Sequence, residues 1–509
     1  MSASSLRVRI EAALRDDRLA VAAIALLALA AHLLTIHLYG FHRDELYLIV
    51  SGRQLGGPGV NHATPTVLLA RAADLIGGLS PFAQRIPDTL FGMAVVVLTG
   101  ACARRLSGGR GAQVLAALAV ATGPIFFFSA GVHGTNAPDQ LCWALTGWIF
   151  LGFFDLRSAG WLTAPRRWEL LGGIIGLGFL TKATVLICAA GLVAAMLATQ
   201  LRSQLRTAGP WVGAAIALLF LVPTAIWQQR HGWPLLEFIA DSNAAVRRRT
   251  PTAAILLDQA RLLHPVGLAL AAIGVVSGLR RGASAGQRAA AVWFVTVLVA
   301  VLALHGKPYY VASAAPLAIA AGSIACARWL SSLSARTARA LLAGWLVSAA
   351  ATLAGTLPLL PAALQERLQL VRLNPELIQF ADWNNHVAQI ADAYRRAGLA
   401  ATPGAAILTE SYGTASAVDL LGAAHGLPRA ISGGNDFFYW TAGVEPQAVL
   451  ALGYSPALLS ALFDEVTEVA TIRGVSDHDN RFDFPRVAYA CRHRKRALSG
   501  LWADLRRFD

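Results

Sequence analysis

Charge is scarce in this sequence. Asp, Glu, Lys and Arg together make up 14% of its 509 residues, against about 25% in a soluble domain, which excludes an ordinary water-soluble enzyme. Cysteine is scarce as well. Of five cysteines, Cys102, Cys142, Cys188 and Cys326 fall inside apolar segments and only Cys491 lies elsewhere, so neither a disulfide framework nor a zinc-type spacing is present. Lysine is almost missing, at Lys182, Lys307 and Lys495 alone. No small-residue cleavage site follows the first apolar run, so Leu19–Leu38 reads as an anchor rather than a signal peptide. An internal repeat of the kind many transporters show is also lacking.

What is present is apolar. Hydrophobic residues make up 56% of the chain and mean hydropathy is +0.53. Runs such as Leu19–Leu38, Leu115–Ser129 and Val212–Ile226 recur, each near the roughly 20 residues a spanning helix needs. The pattern predicts about eleven spans, near 19–38, 82–104, 112–129, 137–155, 169–181, 183–199, 211–228, 259–279, 289–305, 309–327 and 338–357. Every second loop is rich in arginine: Arg104, Arg105 and Arg110; Arg157, Arg166 and Arg167; Arg202 and Arg206; Arg280, Arg281 and Arg288; Arg328, Arg336 and Arg339. The positive-inside rule places these loops and the N-terminal segment in the cytoplasm of a plasma (inner) membrane, and the C-terminal segment outside. The net charge of +14 therefore belongs to membrane topology rather than to nucleic-acid binding.

The expected architecture is mainly α: a polytopic helical domain over 1–357, followed by an extracytoplasmic α/β domain over 358–509. In that second part the long apolar runs stop. Ala405–Leu408 is strand-like, and Asn384–Ala397 has the period of an amphipathic helix.

The residues that bear chemistry gather on the predicted outer face. The first outer loop, 39–81, opens with Phe41-His42-Arg43-Asp44-Glu45-Leu46-Tyr47. Its two adjacent carboxylates suit proton abstraction or cation binding, though acids at a helix start also favour the dipole. Asp139 follows Asn136-Ala137-Pro138, a sequence that equally describes a helix cap. Lys182 and Lys307 fall at outer span ends, against the positive-inside bias, and Arg85 is a third outer-end cation. Together they suggest a phosphate-binding ring, whereas a single cation there would more simply snorkel to lipid headgroups. The run Arg247-Arg248-Arg249 is either solvated or attracts an anion. His42, His62, His133, His231 and His305 all map to the outer side, but none has an i, i+4 partner of the ligand type. Scattered histidines of this sort are more often not ligands.

With these residues in view, the chain resembles the bacterial family-39-like membrane glycosyltransferases, the GT-C group that includes protein mannosyltransferases and the aminoarabinose transferase of lipid A. The resemblance spans nearly the whole chain. It rests on Arg43-Asp44-Glu45-Leu46-Tyr47, Asn136-Ala137-Pro138-Asp139-Gln140-Leu141, Phe179-Leu180-Thr181-Lys182, Lys307-Pro308-Tyr309-Tyr310, Tyr412-Gly413 and Ile431-Ser432-Gly433. It implies a helical membrane domain with an outer cavity, and an inverting transfer from a polyprenyl-phosphate-linked sugar to an envelope acceptor, whether lipid, glycan or protein. By the same resemblance Asp44 would be the general base, and Glu45 and Asp139 would support it or bind acceptor or cation. Arg85, Lys182, Lys307 and Tyr309 or Tyr310 would hold the donor phosphate. A divalent metal ion is a candidate cofactor, with His62 and His133 as ligands. The stretch Val60-Asn61-His62-Ala63-Thr64-Pro65 departs from relatives that carry an acidic or aromatic-proline segment there, which puts that metal site in question. A transporter or flippase of lipid-linked sugars is the competing reading. It fits the outward cations but not the large terminal domain or the missing repeats.

Overall fold

The structure is a computed structural model. It describes residues 17–55, 59–60, 64–155, 163–370, 374, 377, 380, 382–473, 487–500 and 502–508. Among the described residues, each of the eleven expected spans coincides with a helix or with a helix broken once. Six helices are long and apolar enough to cross a membrane: Asp17–Thr35, Pro81–Arg105, Ala208–Arg230, Ala285–Leu304, Pro308–Ser332 and Ala335–Thr356. Three bent pairs raise that number to nine if each is one span. The two expected spans outside that set are Asn136–Leu151, which is 16 residues long, and Ala164–Thr181, which opens on Arg166, Arg167 and Glu169.

The breaks follow from local sequence. The Arg110–Ala121 and Pro124–Gly131 helices meet at 60° across Thr122-Gly123. The Thr252–Leu263 and Pro265–Leu279 helices meet at 113°, where Pro265 forces His264 out of the helical region, to φ 62 and ψ 146. His264 steadies the bend by accepting the Val266 N–H at Nδ1 (3.3 Å). Where the Pro265–Leu279 and Ala315–Ser332 helices cross, Gly274 faces the Ala318 carbonyl and Gly322 the Leu270 carbonyl, too close for any Cβ. Small residues allow such close packing between membrane helices. On the outside of the bundle, Leu27, Leu34, Leu219, Leu257 and Val347 are each roughly 70% exposed, as lipid-facing residues must be. The chain is a multi-pass membrane protein.

The C-terminal part builds a five-stranded sheet from β1 (Ala406–Thr409), β2 (Ala430–Ser432), β3 (Ala448–Leu452), β4 (Phe463–Thr471) and β5 (Val487–Arg494), in the order β2-β1-β3-β5-β4. β1 pairs in parallel with β2 and β3, and β5 runs antiparallel to β3 and β4. β1 and β3 are buried at every residue, as strands covered on both faces are. The amphipathic helix is present at Trp383–Arg396. The helix Tyr412–Leu421 makes the crossover from β1 to β2.

What matters for the site is how this sheet domain sits. The first-loop helix, Arg43–Gln54, is held between the membrane bundle and the C-terminal domain. Leu46 and Ile49 pack with Trp383, Val387 and Ala417. Trp383 Nε1 donates to the Phe41 carbonyl (3.1 Å), the Tyr47 hydroxyl to Asp436 Oδ2 (2.6 Å) and the Val60 N–H to Asp436 Oδ1 (2.7 Å). Residues far apart in sequence thereby converge on one wall.

Candidate active site

The site begins at a helix cap. His42 ends the extended entry to the first-loop helix, and its Nδ1 accepts the Asp44 N–H (3.2 Å), while the Glu45 carboxylate accepts the His42 N–H (2.7 Å). This is a reciprocal capping box with histidine at the cap position. The box turns the two adjacent carboxylates in opposite directions, and their fates differ completely.

Glu45 points inward and has no exposed surface. Arg85 grips it through two parallel bonds, Nε to Oε1 (2.8 Å) and Nη2 to Oε2 (2.7 Å), and the His133 N–H adds a third donor (2.9 Å). Burial pushes the Glu45 carboxyl up, but Arg85 and the backbone donors outweigh it and hold the group below the usual carboxylate range. Arg85 is consumed in turn, giving its remaining N–H groups to the carbonyls of Ile36 (2.7 Å), Gly40 (2.6 Å) and Tyr39 (3.4 Å). Two sequence expectations are corrected here. Arg85 belongs to a buried ion pair that fixes the first loop rather than to the phosphate ring, and Glu45 is its partner rather than a group that reaches substrate.

Asp44 points the other way, into a cavity of about 370 Å³. Its side chain keeps 48% of its surface open to that space. The Tyr412 hydroxyl donates to Oδ1 (2.7 Å) and Arg43 Nε lies 3.4 Å from the same oxygen. Burial beside the protein wall pushes the carboxyl up, but His42, Arg43, the Tyr412 hydroxyl and Lys307 together bring it below its ordinary value. Asp44 is therefore ionised at neutral pH.

Lys182, Lys307, Tyr309 and Tyr310 line the same cavity. Lys182 donates to Asn136 Oδ1 (2.5 Å), and its ammonium lies 4.8 Å and 4.9 Å from the ring centres of Tyr309 and Tyr310. Both contacts hold the charge without neutralising it. Lys182 is within electrostatic reach of Asp139, Lys307 and Asp44. The two lysines and two tyrosines expected to hold a donor phosphate are thus brought together in one cavity with Asp44. Away from the charges the wall turns apolar, with Leu186, Ile187, Val301 and Leu304.

Asp139 lies behind this wall, 2% exposed. It accepts from Trp143 Nε1 (3.0 Å), Thr184 Oγ1 (3.0 Å) and Ser313 Oγ (3.2 Å). With three donors on its oxygens and no place in the cavity lining, it does not reach an acceptor, so only its supporting role remains open. It stands instead as the countercharge behind Lys182.

Of the two residues expected to hold a metal, only His133 lies among the described residues, and its ring nitrogens are already engaged. His133 Nδ1 meets Asp88 Oδ2 at 2.6 Å and Nε2 meets the Thr66 carbonyl at 3.2 Å. Burial lowers its pKa, but the Asp88 and Glu45 carboxylates and the Thr66 carbonyl more than reverse this, so the ring is favoured as an imidazolium with both nitrogens donating. A ring in that state has no lone pair for a metal. His62 lies outside the described residues, and among those residues no cluster of three or more His, Cys, Asp or Glu side chains could hold an ion.

Sequence reasoning quoted Tyr412 as a motif residue without giving it a place in the site, and it did not single out Asn435 at all. Both line the cavity and both come from the C-terminal domain. No spacing rule links Tyr412 to Asp44, 368 residues earlier; only the packing of the two domains does.

The model of the dolichyl-phosphate-mannose-protein mannosyltransferase family matches residues 62–227. Over 92% of its length the chain superposes on 97% of ArnT from Cupriavidus metallidurans in the apo state, with a TM-score of 0.57 and 16% identity. The same protein bound to undecaprenyl phosphate gives a TM-score of 0.57 at 14% identity, with the same coverage of 92% and 97%. The Archaeoglobus fulgidus oligosaccharyltransferase in complex with Zn and sulfate aligns with 85% of this chain and 68% of its own, with a TM-score of 0.51 and 14% identity. No curated protein sequence matches the chain. The fold is that of the GT-C membrane glycosyltransferases, and the resemblance read from the motifs agrees with the family match over 62–227.

Proposed function

We propose that the protein is an inverting membrane glycosyltransferase that moves a sugar from a polyprenyl-phosphate donor to a hydroxyl of an envelope acceptor on the outer face of the plasma membrane. The observation that carries this reading is one cavity with an ionised Asp44, two lysines and an apolar end. ArnT has been seen with undecaprenyl phosphate bound, and the same kind of ligand suits this cavity: a phosphate against Lys182 and Lys307, and a prenyl chain along Leu186, Ile187, Val301 and Leu304 toward the bilayer. The arginine-rich loops at the opposite helix ends support an outward-facing site and an outer C-terminal domain.

The chemistry follows from the charges. The acceptor oxygen bonds to the anomeric carbon while the bond from that carbon to the phosphate oxygen breaks, and polyprenyl phosphate leaves. Lys182 and Lys307 stabilise the charge gathering on the departing phosphate, and Asp44 takes the acceptor proton. Although its pKa is low, Asp44 is a competent base late in the step, when the electron-poor sugar carbon has acidified the attacking hydroxyl. Attack from the Asp44 side with departure on the lysine side inverts the anomeric carbon.

The test uses purified protein in nanodiscs, a panel of labelled polyprenyl-phosphate sugars and an envelope extract as acceptor. Label appearing in acceptor, with release of polyprenyl phosphate, supports the transferase and names the donor. Label crossing liposomes while still attached to lipid, with no acceptor product, would replace it with a flippase.

A further inference from the structure

We infer that Tyr412, supplied by the C-terminal domain, is a positioning residue for Asp44 and sets which carboxylate oxygen faces the acceptor. The inference rests on the reading of Asp44 as the base. The two oxygens of Asp44 are not equivalent. Oδ1 accepts the Tyr412 hydroxyl at 2.7 Å and lies 3.4 Å from Arg43 Nε. Oδ2 stands 3.8 Å from His42 Nδ1, beyond hydrogen-bond distance. That nitrogen is already turned to the Asp44 N–H (3.2 Å). Tyr412 thus leaves Oδ2 as the oxygen open to an incoming proton.

Tyr412 is itself held on every side. It is 5% exposed, its ring lies 4.9 Å from that of Tyr47, and the Arg43 guanidinium sits 5.3 Å from the ring centre. The Tyr47 hydroxyl is occupied by Asp436 (2.6 Å), which pins the neighbouring ring. Ser411 caps the helix that Tyr412 begins by accepting the Gly413 N–H (3.1 Å), and the Ser416 hydroxyl donates to the Tyr412 carbonyl (2.7 Å). A tyrosine fixed this firmly presents its hydroxyl to Asp44 in one direction. The other groups facing Asp44 are His42 and Arg43 from its own loop and Lys307 and Lys182 from the membrane bundle. Tyr412 is the contribution of the C-terminal domain, so docking of that domain and readiness of the base are one event.

The alternative is that the bond only ties the two domains together. Tyr412→Phe separates the two, because it removes the hydroxyl and keeps the ring. The readout is the infrared carboxylate band of Asp44, isolated as the difference between protein with Asp44 and with Asp44→Asn, in both the wild-type and Tyr412→Phe backgrounds. Loss of a donor to the charged form should raise the titration midpoint by about one pH unit, with an unchanged melting temperature. Where transfer is measured, the acid limb of the rate should move up equally, so that kcat at a pH below both midpoints falls about tenfold, and the donor KM should stay put. Equal midpoints in the two backgrounds would overturn the inference, as would a lower melting temperature with an unmoved midpoint. The infrared result holds whether or not sugar transfer is detected, so failure of the transferase reading and failure of this inference are separate outcomes.

Discussion

Arg85 offers a sharp contest between what its sequence position suggests and what its surroundings require. As a phosphate ligand it would tolerate replacement, with a weakened donor interaction as the only cost. As the partner of a fully buried Glu45 it is structural. Its guanidinium makes two bonds to that carboxylate and two short bonds to the carbonyls of Ile36 and Gly40. Removing one member of such a pair leaves an uncompensated charge in a dry site, which costs about 3 to 5 kcal/mol. Arg85→Met should therefore lower the melting temperature of the protein in nanodiscs by several degrees, and Glu45→Gln should do much the same. The double variant Glu45→Leu/Arg85→Met removes both charges at once. It should be more stable than the sum of the two single changes, because apolar replacement of a whole buried pair is often close to neutral. The assay is thermal unfolding of all four proteins, alongside donor titrations of any variant that survives. An Arg85→Met protein as stable as wild type but needing far more donor would refute the reasoning and return Arg85 to the phosphate ring.

Three other outcomes follow from the same geometry. Lys182→Met and Lys307→Met should each raise the donor concentration for half-maximal rate about tenfold to a hundredfold, the scale of one hydrogen bond to a charged group; unchanged donor dependence in both would remove them from the donor site. Glu45, with its pKa depressed in the folded protein, contributes stability that is fully present above the unfolded value of about 4.3 and is lost as pH falls through the folded value. Acid unfolding of wild type should therefore set in below about pH 4 and should depend less steeply on pH there in the Glu45→Leu/Arg85→Met protein. A single cysteine placed beside Gly433 should react with an impermeant thiol reagent in intact cells, whereas one beside Arg281 should not; the reverse pattern would invert the topology.

The membrane architecture was readable because its signals are local and repeated. Each of the eleven apolar runs coincides with a helix or with a helix broken once, and the arginine pairs mark alternate loops. The bend at His264-Pro265 is written in one dipeptide, yet its angle depends on the helices around it. The site was legible where residues sit at the outer ends of spans: Asp44, Lys182, Lys307, Tyr309 and Tyr310 do share a cavity. It was misread where the same residue type serves two purposes. Glu45 differs from Asp44 by a single position, and a capping box is what sends one inward and the other outward. Charge pattern alone cannot tell an arginine facing phosphate from one facing a buried carboxylate. His133 looked available for a metal because its two partners, Asp88 and the Thr66 carbonyl, come from other segments. Tyr412 was invisible as a site residue for the same reason, since domain packing creates its contact.

The central claim is that Asp44 takes the acceptor proton in a glycosyl transfer. Its most direct test compares wild type with Asp44→Asn under saturating donor and acceptor, in a single turnover, with donor binding measured separately. The side chain keeps its shape and loses its basicity, so the account predicts a rate at least a hundredfold lower, the lower end of what a general base contributes, with donor still bound as tightly as by wild type. Transfer by Asp44→Asn at the wild-type rate would contradict it.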